Sequence, residues 1–184
     1  MTLKAATLRT ALRDGTKDAH DALDARLGDM PLSTTADYTT FLRIQYEARA
    51  PIERWCVRHL DGAAPPAQTP LIADDLAELG AQIPATRVGF RLPAGADPDG
   101  LRWALAGSVM GNRAMLVRME KRGLGDLPGT FLSDPSMLGY WNSLRPTLER
   151  PADMQRGAAC VRAANTVFQT FMVAADALLP ERAA

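Results

Sequence analysis

Histidine is almost missing from this chain: there are two in 184 residues, His20 and His59. Cysteine is as sparse, and Cys56 and Cys160 form neither a CxxC pair nor a Cys/His zinc spacing. These shortages argue against a multi-ligand metal site and a disulfide framework. The two cysteines are expected to be buried thiols in a reducing compartment. Basic and acidic residues balance at 21 each, so no charge excess points to nucleic acid or to an acidic interaction arm. The opening residues Met1-Thr2-Leu3-Lys4-Ala5 lack the apolar run of a signal peptide, and no stretch is long enough to span a membrane. A cytoplasmic location is expected.

Several chemistries are missing as well. Neither a glycine-rich phosphate loop nor a dinucleotide fingerprint occurs. The carboxylate and Glu-x-x-His repeats of a di-iron helical bundle are absent, and no Ser-His-Asp or Cys-His nucleophile assembles. No segment alternates apolar and polar residues over a useful length, so strands are not expected.

What recurs instead is helical spacing. Leu8, Leu12, Ala19, Leu23 and Leu27 share one stripe and predict a first helix from Thr7 to Leu27, which Gly28 ends. Ser33-Thr34-Thr35-Ala36-Asp37 offers caps for a second helix from Thr35 to Leu60, with Pro51 expected to kink or break it after Ala50. Asp61 to Gln68 reads as loop, and Thr69-Pro70 opens a short helix that ends at Gly80. After a loose stretch from Ala81 to Ala96, Asp97-Pro98 starts a long helix reaching Gly123. A loop from Leu124 to Pro135 precedes a short helix that Pro146 is expected to stop. The last helix, Ala152 to Leu179, turns Val161, Ala164, Phe168, Phe171 and Met172 inward. The expectation is one all-α domain over residues 1–184.

Two features stand out as chemistry. Gly107 and Gly111 sit inside the Asp97–Gly123 helix at i,i+4, on one face, although a helical glycine costs about 1 kcal/mol relative to alanine. They leave a strip of bare backbone that something flat, or a second helix, would approach closely. Ser108 and Asn112 place a hydroxyl and an amide beside it, enough to order water. On the first helix, His20 lies at the edge of the apolar stripe, with Arg13 and Lys17 on the same side. His20 reads either as a half-buried residue satisfied by a backbone carbonyl or as an axial iron ligand. Arg13 and Lys17 read either as a solvated face or as partners of anionic carboxylates on a ligand. His59, at a helix end, reads as a capping or surface residue.

These residues, in this order, resemble the heme oxygenase family, and in particular its bacterial branch that supplies biliverdin to bacteriophytochromes. Leu12-Arg13-Asp14-Gly15-Thr16-Lys17-Asp18-Ala19-His20 is similar to the family's opening motif, which ends in the proximal histidine. Trp103-Ala104-Leu105-Ala106-Gly107-Ser108-Val109-Met110-Gly111 resembles its distal-helix motif. Weaker echoes are Tyr38-Thr39-Thr40-Phe41-Leu42, Asp75 to Gly80, and Phe131-Leu132-Ser133 with Trp141 beyond. Two positions depart from the family pattern: Asn112 stands where a further glycine is usual, and Ala106 where bacterial members often carry an acid.

The resemblance implies a single-domain heme oxygenase-like helical bundle and a heme-degrading monooxygenase activity. Heme b would be cofactor and substrate, with His20 ligating iron from the proximal side. Gly107 and Gly111 would lie against the distal face, where Ser108 and Asn112 hold water that delivers protons. Arg13 and Lys17 would meet the propionates. Dioxygen and electrons from a ferredoxin or a reductase would complete the reaction to biliverdin, carbon monoxide and iron. Two other readings stay open: a non-catalytic heme-binding carrier or sensor on the same fold, which Asn112 favours, and a helical interaction module whose glycines only pack helices.

Overall fold

The computed structural model describes residues 6–28 and 30–179. The opening residues weighed for a signal peptide lie outside them. Seven helices follow in order: α1 (Leu8–Gly28), α2 (Thr35–His59), α3 (Thr69–Glu78), α4 (Pro98–Lys121), α5 (Thr130–Ser133), α6 (Ser136–Leu148) and α7 (Met154–Leu178). No strand forms among the described residues; Thr7 and Pro151 make one isolated antiparallel bridge. It ties the start of α1 to the approach to α7, with Leu8 N–H donating to the Arg150 carbonyl at 3.0 Å.

Local chemistry sets most of these boundaries. Thr34 caps α2 by accepting from Asp37 N–H at 3.1 Å, while the Asp37 carboxylate accepts from Thr34 N–H at 2.9 Å, a reciprocal capping box. The backbone N–H of Ser33 joins the same carboxylate and helps hold Asp37 below its ordinary value. Asp97 caps α4 by accepting from Asp99 N–H, with Pro98 in the first turn. Gly80 and Gly123, just past α3 and α4, take φ of +66° and +73°, a conformation a β-carbon would oppose.

The sequence reading needs correction at three places. Pro51 neither breaks nor ends α2, which runs through it to His59. The proline removes one hydrogen bond, but buried residues continue on both sides, with Tyr38, Leu42, Gln45, Arg49, Ile52 and Cys56 forming one seam at alternating four- and three-residue spacing. Pro146 does not stop α6, which continues to Leu148. A proline late in a helix deletes only its own donor, and Glu149 N–H still reaches the Arg145 carbonyl at 3.0 Å. Finally, α5 lies inside the predicted loop. Its cap comes from a distant residue: the fully buried Asp75 on α3 accepts from Thr130 N–H and Phe131 N–H at 3.0 Å each.

α7 is the centre of the arrangement and packs against α1, α2 and α4. Two glycines set the closeness of those crossings. A β-carbon at Gly15 would lie 2.7 Å from the Val161 side chain, and one at Gly100 would lie 1.8 Å from the Cys160 carbonyl oxygen. The loop at 81–96 is held from beneath by Glu47 of α2, which accepts from the N–H groups of Arg87 and Val88. Cys56 and Cys160 are both buried free thiols, and burial pushes each up to about 12.

Candidate functional site

α1, α2, α4, α6 and α7 wall a cavity of about 710 Å³, inside the roughly 300–1,000 Å³ range of small-molecule and cofactor sites. Its surface is mostly aromatic and aliphatic. Phe41, Trp103, Trp141, Phe168 and Phe171 are among its aromatic side chains. Every residue singled out on α1 and α4 lines it: Arg13, Lys17 and His20 from α1, and Gly107, Ser108, Gly111 and Asn112 from α4. The fold thus brings together groups ninety residues apart in sequence.

The α4 wall is bare backbone. A β-carbon at Gly111 would meet nothing within 4 Å, and one at Gly107 would meet only the Trp141 ring edge at 4.0 Å. Only the Trp141 side chain of α6 comes near this strip, at ordinary contact distance, so close helix packing does not account for its glycines; the tight crossings belong to Gly15 and Gly100 instead. Gly107→Ala and Gly111→Ala are therefore expected to stabilise the ligand-free protein by about 0.5–1 kcal/mol each, from helix propensity alone. Thermal unfolding of the ligand-free variants checks this. A lower Tm in both would mean the strip packs against protein.

The α1 wall carries charge. His20 keeps 52% of its side chain exposed, with Nδ1 3.2 Å from the Asp24 carboxylate and 3.9 Å from Asp21. Its ring edge meets Phe168 at 5.7 Å between centroids. Carboxylates surround it, where a backbone carbonyl was the bland expectation. Arg13 donates from Nε to Asp14 at 2.9 Å. Lys17 pairs with Asp21, and that carboxylate raises its ammonium. Both basic side chains are largely in solvent at the cavity mouth, where they retain freedom to change partners.

The other histidine is elsewhere. His59 stacks on Trp55 at the end of α2, 4.5 Å between centroids, with Nδ1 2.8 Å from the Trp55 carbonyl. It does not line the cavity.

Sequence reasoning passed over the α2 wall. Gln45 and Arg49 line the cavity from that side, and Arg49 is the largest fully buried side chain among the described residues, 1% exposed. Its Nη2 donates to Ser108 Oγ at 2.9 Å and its Nε to Gln45 Oε1 at 3.3 Å. Ser108 in turn donates to the Leu105 carbonyl at 2.7 Å, which leaves its hydroxyl one lone pair for water. The signal that would have revealed Arg49 is its place in the α2 seam, where Gln45 and Arg49 on adjacent turns interrupt an apolar stripe.

No protein-family model matches this chain, and no curated protein matches it. Among solved structures it is similar to the heme oxygenase of Neisseria meningitidis, crystallised with nitric oxide and with carbon monoxide bound. The two chains are 19% identical and superpose with a TM-score of 0.76, over 95% of this chain and 92% of that one. The likeness establishes the fold: this chain has the all-α heme oxygenase fold expected from its sequence. No described helix is long and apolar enough to cross a membrane.

Proposed function

We propose that this protein is a heme oxygenase, which binds heme b in the cavity and opens the porphyrin ring to biliverdin, carbon monoxide and iron. The observation that carries this reading is one cavity with a histidine on one helical wall and two unfilled glycines on another. A flat, largely apolar macrocycle suits those aromatic walls, and the missing β-carbons leave a cradle for its face.

Bound heme supplies the iron at which dioxygen is reduced. The chain's residues supply ligation, orientation and protons. His20 would hold the iron through its imidazole, with the Asp24 carboxylate 3.2 Å from Nδ1 to orient the ring. Arg13 and Lys17 would meet the two propionates in place of their present carboxylate partners and so orient the ring. On the α4 wall, Gly107 and Gly111 would leave room beside a bound ring, and Ser108 and Asn112 would hold water able to donate protons there. His20 is the only histidine lining the cavity among the described residues, so no second imidazole is there to donate a proton. Electrons come from outside, from a ferredoxin or a reductase. The biliverdin feeds a bacteriophytochrome, a step that rests on the sequence resemblance.

Absorption spectroscopy tests this directly. Purified protein with one equivalent of hemin should show a sharp Soret band, which collapses on adding ascorbate under air while a broad red band of biliverdin rises. A Soret band that forms and survives would favour the non-catalytic heme binder, with Asn112 in place of the usual glycine as its cause. No band would overturn both and leave a helical interaction module.

A further inference from the structure

Arg49 is a buried cation that forms no ion pair among the described residues, although the charge of Glu53 acts on it. Its Nη1 is buried with no hydrogen-bond partner at all. The nearby Glu53, one turn on, is committed elsewhere: its oxygens accept from Gln68 N–H, Thr69 N–H and the Thr69 hydroxyl. The guanidinium is held by two aromatic faces instead, with its central carbon 5.2 Å from the Phe131 ring centroid and 5.6 Å from that of Phe171. Burial pulls it down to about 10, which still leaves it charged at neutral pH.

Such an arrangement is costly to fold. Replacing a buried charge with an apolar side chain of similar size is often neutral or stabilising, so packing does not explain an arginine here. Its position does suggest a use. Arg49 lines the cavity next to the glycine strip, bonded through Nη2 to Ser108.

We propose that the buried charge of Arg49, bonded to Ser108, makes the strip side of the cavity a binding site for a small anion, or for a small ligand that gathers negative charge. This deepens the heme reading, since it names what the space beside the ring prefers, and it rests on that reading only where hemin is used as the probe. The site selects by charge: a small monoanion gains a buried cation, and a neutral ligand of similar size gains nothing.

Two measurements on wild type, Arg49→Leu and Arg49→Lys test it. In the heme-free protein, Trp103 and Trp141 line the cavity and report on quenchers that enter it. Iodide, an anion, is expected to lose about half its quenching constant in Arg49→Leu, while neutral acrylamide stays unchanged; Arg49→Lys should keep most of the iodide effect. In the hemin-loaded protein at fixed ionic strength, azide affinity should fall about 10-fold or more in Arg49→Leu, with imidazole affinity within about 2-fold. Should Arg49→Leu fail to fold, Arg49→Gln removes the charge and keeps a donor for Ser108. An unchanged iodide-to-acrylamide ratio overturns the proposal, as do azide and imidazole affinities that fall together. A wild-type protein that takes up no hemin, yet loses iodide quenching in Arg49→Leu, would sink the heme reading and leave the anion site standing.

Discussion

Exchange of His20 for alanine is expected to remove the sharp Soret band and all biliverdin formation from added hemin, while leaving the fold intact. The side chain is about half in solvent, and its recorded contacts are the carboxylates of Asp21 and Asp24 and the edge of Phe168. Removing such a residue changes stability by roughly 0.5 kcal/mol or less. The effect on the ligand is far larger. Loss of a ligand's supporting partner typically costs about 10–100-fold in affinity, and loss of the sole imidazole on the cavity walls exceeds that. Asp24→Asn should fall between, weakening hemin binding by about 10-fold, because the ring keeps its nitrogen but loses the charge near Nδ1. Free imidazole added to His20→Ala fills the vacated space and should restore a Soret band, which a merely misfolded variant would not do. A wild-type spectrum and turnover in His20→Ala would remove the proposed ligand and with it the mechanism.

How much of this was legible beforehand depends on how far apart the deciding residues lie. Caps and stops within a few residues of each other are legible: Asp97 with Pro98, the Ser33 to Asp37 stretch that holds the α2 cap, and the glycines at 80 and 123. The two interior prolines were over-read, because a local rule about hydrogen bonds was outweighed by burial along the whole α2 face and by the last turn of α6. α5 was missed because its cap, Asp75, is donated by a helix fifty-five residues upstream. On the cavity walls, the α4 glycines announced themselves through their cost in helix propensity, and His20 through its rarity. Arg49 gave a fainter sign, since a lone arginine in a helix ordinarily faces solvent. Only the α2–α4 contact at Ser108 shows that it does not. The glycines illustrate the same point from the other side. Gly107 and Gly111 drew attention as a pair, yet the helix crossings depend on Gly15 and Gly100, which no spacing rule marks.

Gly100→Ala is accordingly expected to be among the most damaging single substitutions in the chain, although Gly100 does not line the cavity. A β-carbon there would lie 1.8 Å from the Cys160 carbonyl oxygen, 2.6 Å from its carbon and 2.9 Å from its α-carbon. All three atoms are backbone of α7, so no rotamer change relieves the clash. α4 and α7 would have to part by about 1.5 Å or more to reach ordinary contact distance. They are tied where they cross, with Asp97 N–H donating to the Ala159 carbonyl at 3.1 Å and Arg156 donating to Asp99 at 2.8 Å. Separation would strain or break these bonds and open the packing around Leu101 and Ala163, both fully buried. Overpacking of this kind costs about 3 kcal/mol, which for a chain of this length lowers Tm by about 6–12 °C. Because α4 carries the glycine strip and α7 carries Phe168 and Phe171, the same displacement reshapes the cavity, and hemin affinity should fall with stability. Gly107→Ala, two turns or about 10 Å further along the same helix at the usual rise of about 1.5 Å per residue, is expected to shift Tm slightly upward. Thermal unfolding followed by circular dichroism separates the two: opposite signs support a close α4–α7 crossing and an open strip. A Gly100→Ala protein melting within about 2 °C of wild type would mean that the crossing is looser than its geometry requires.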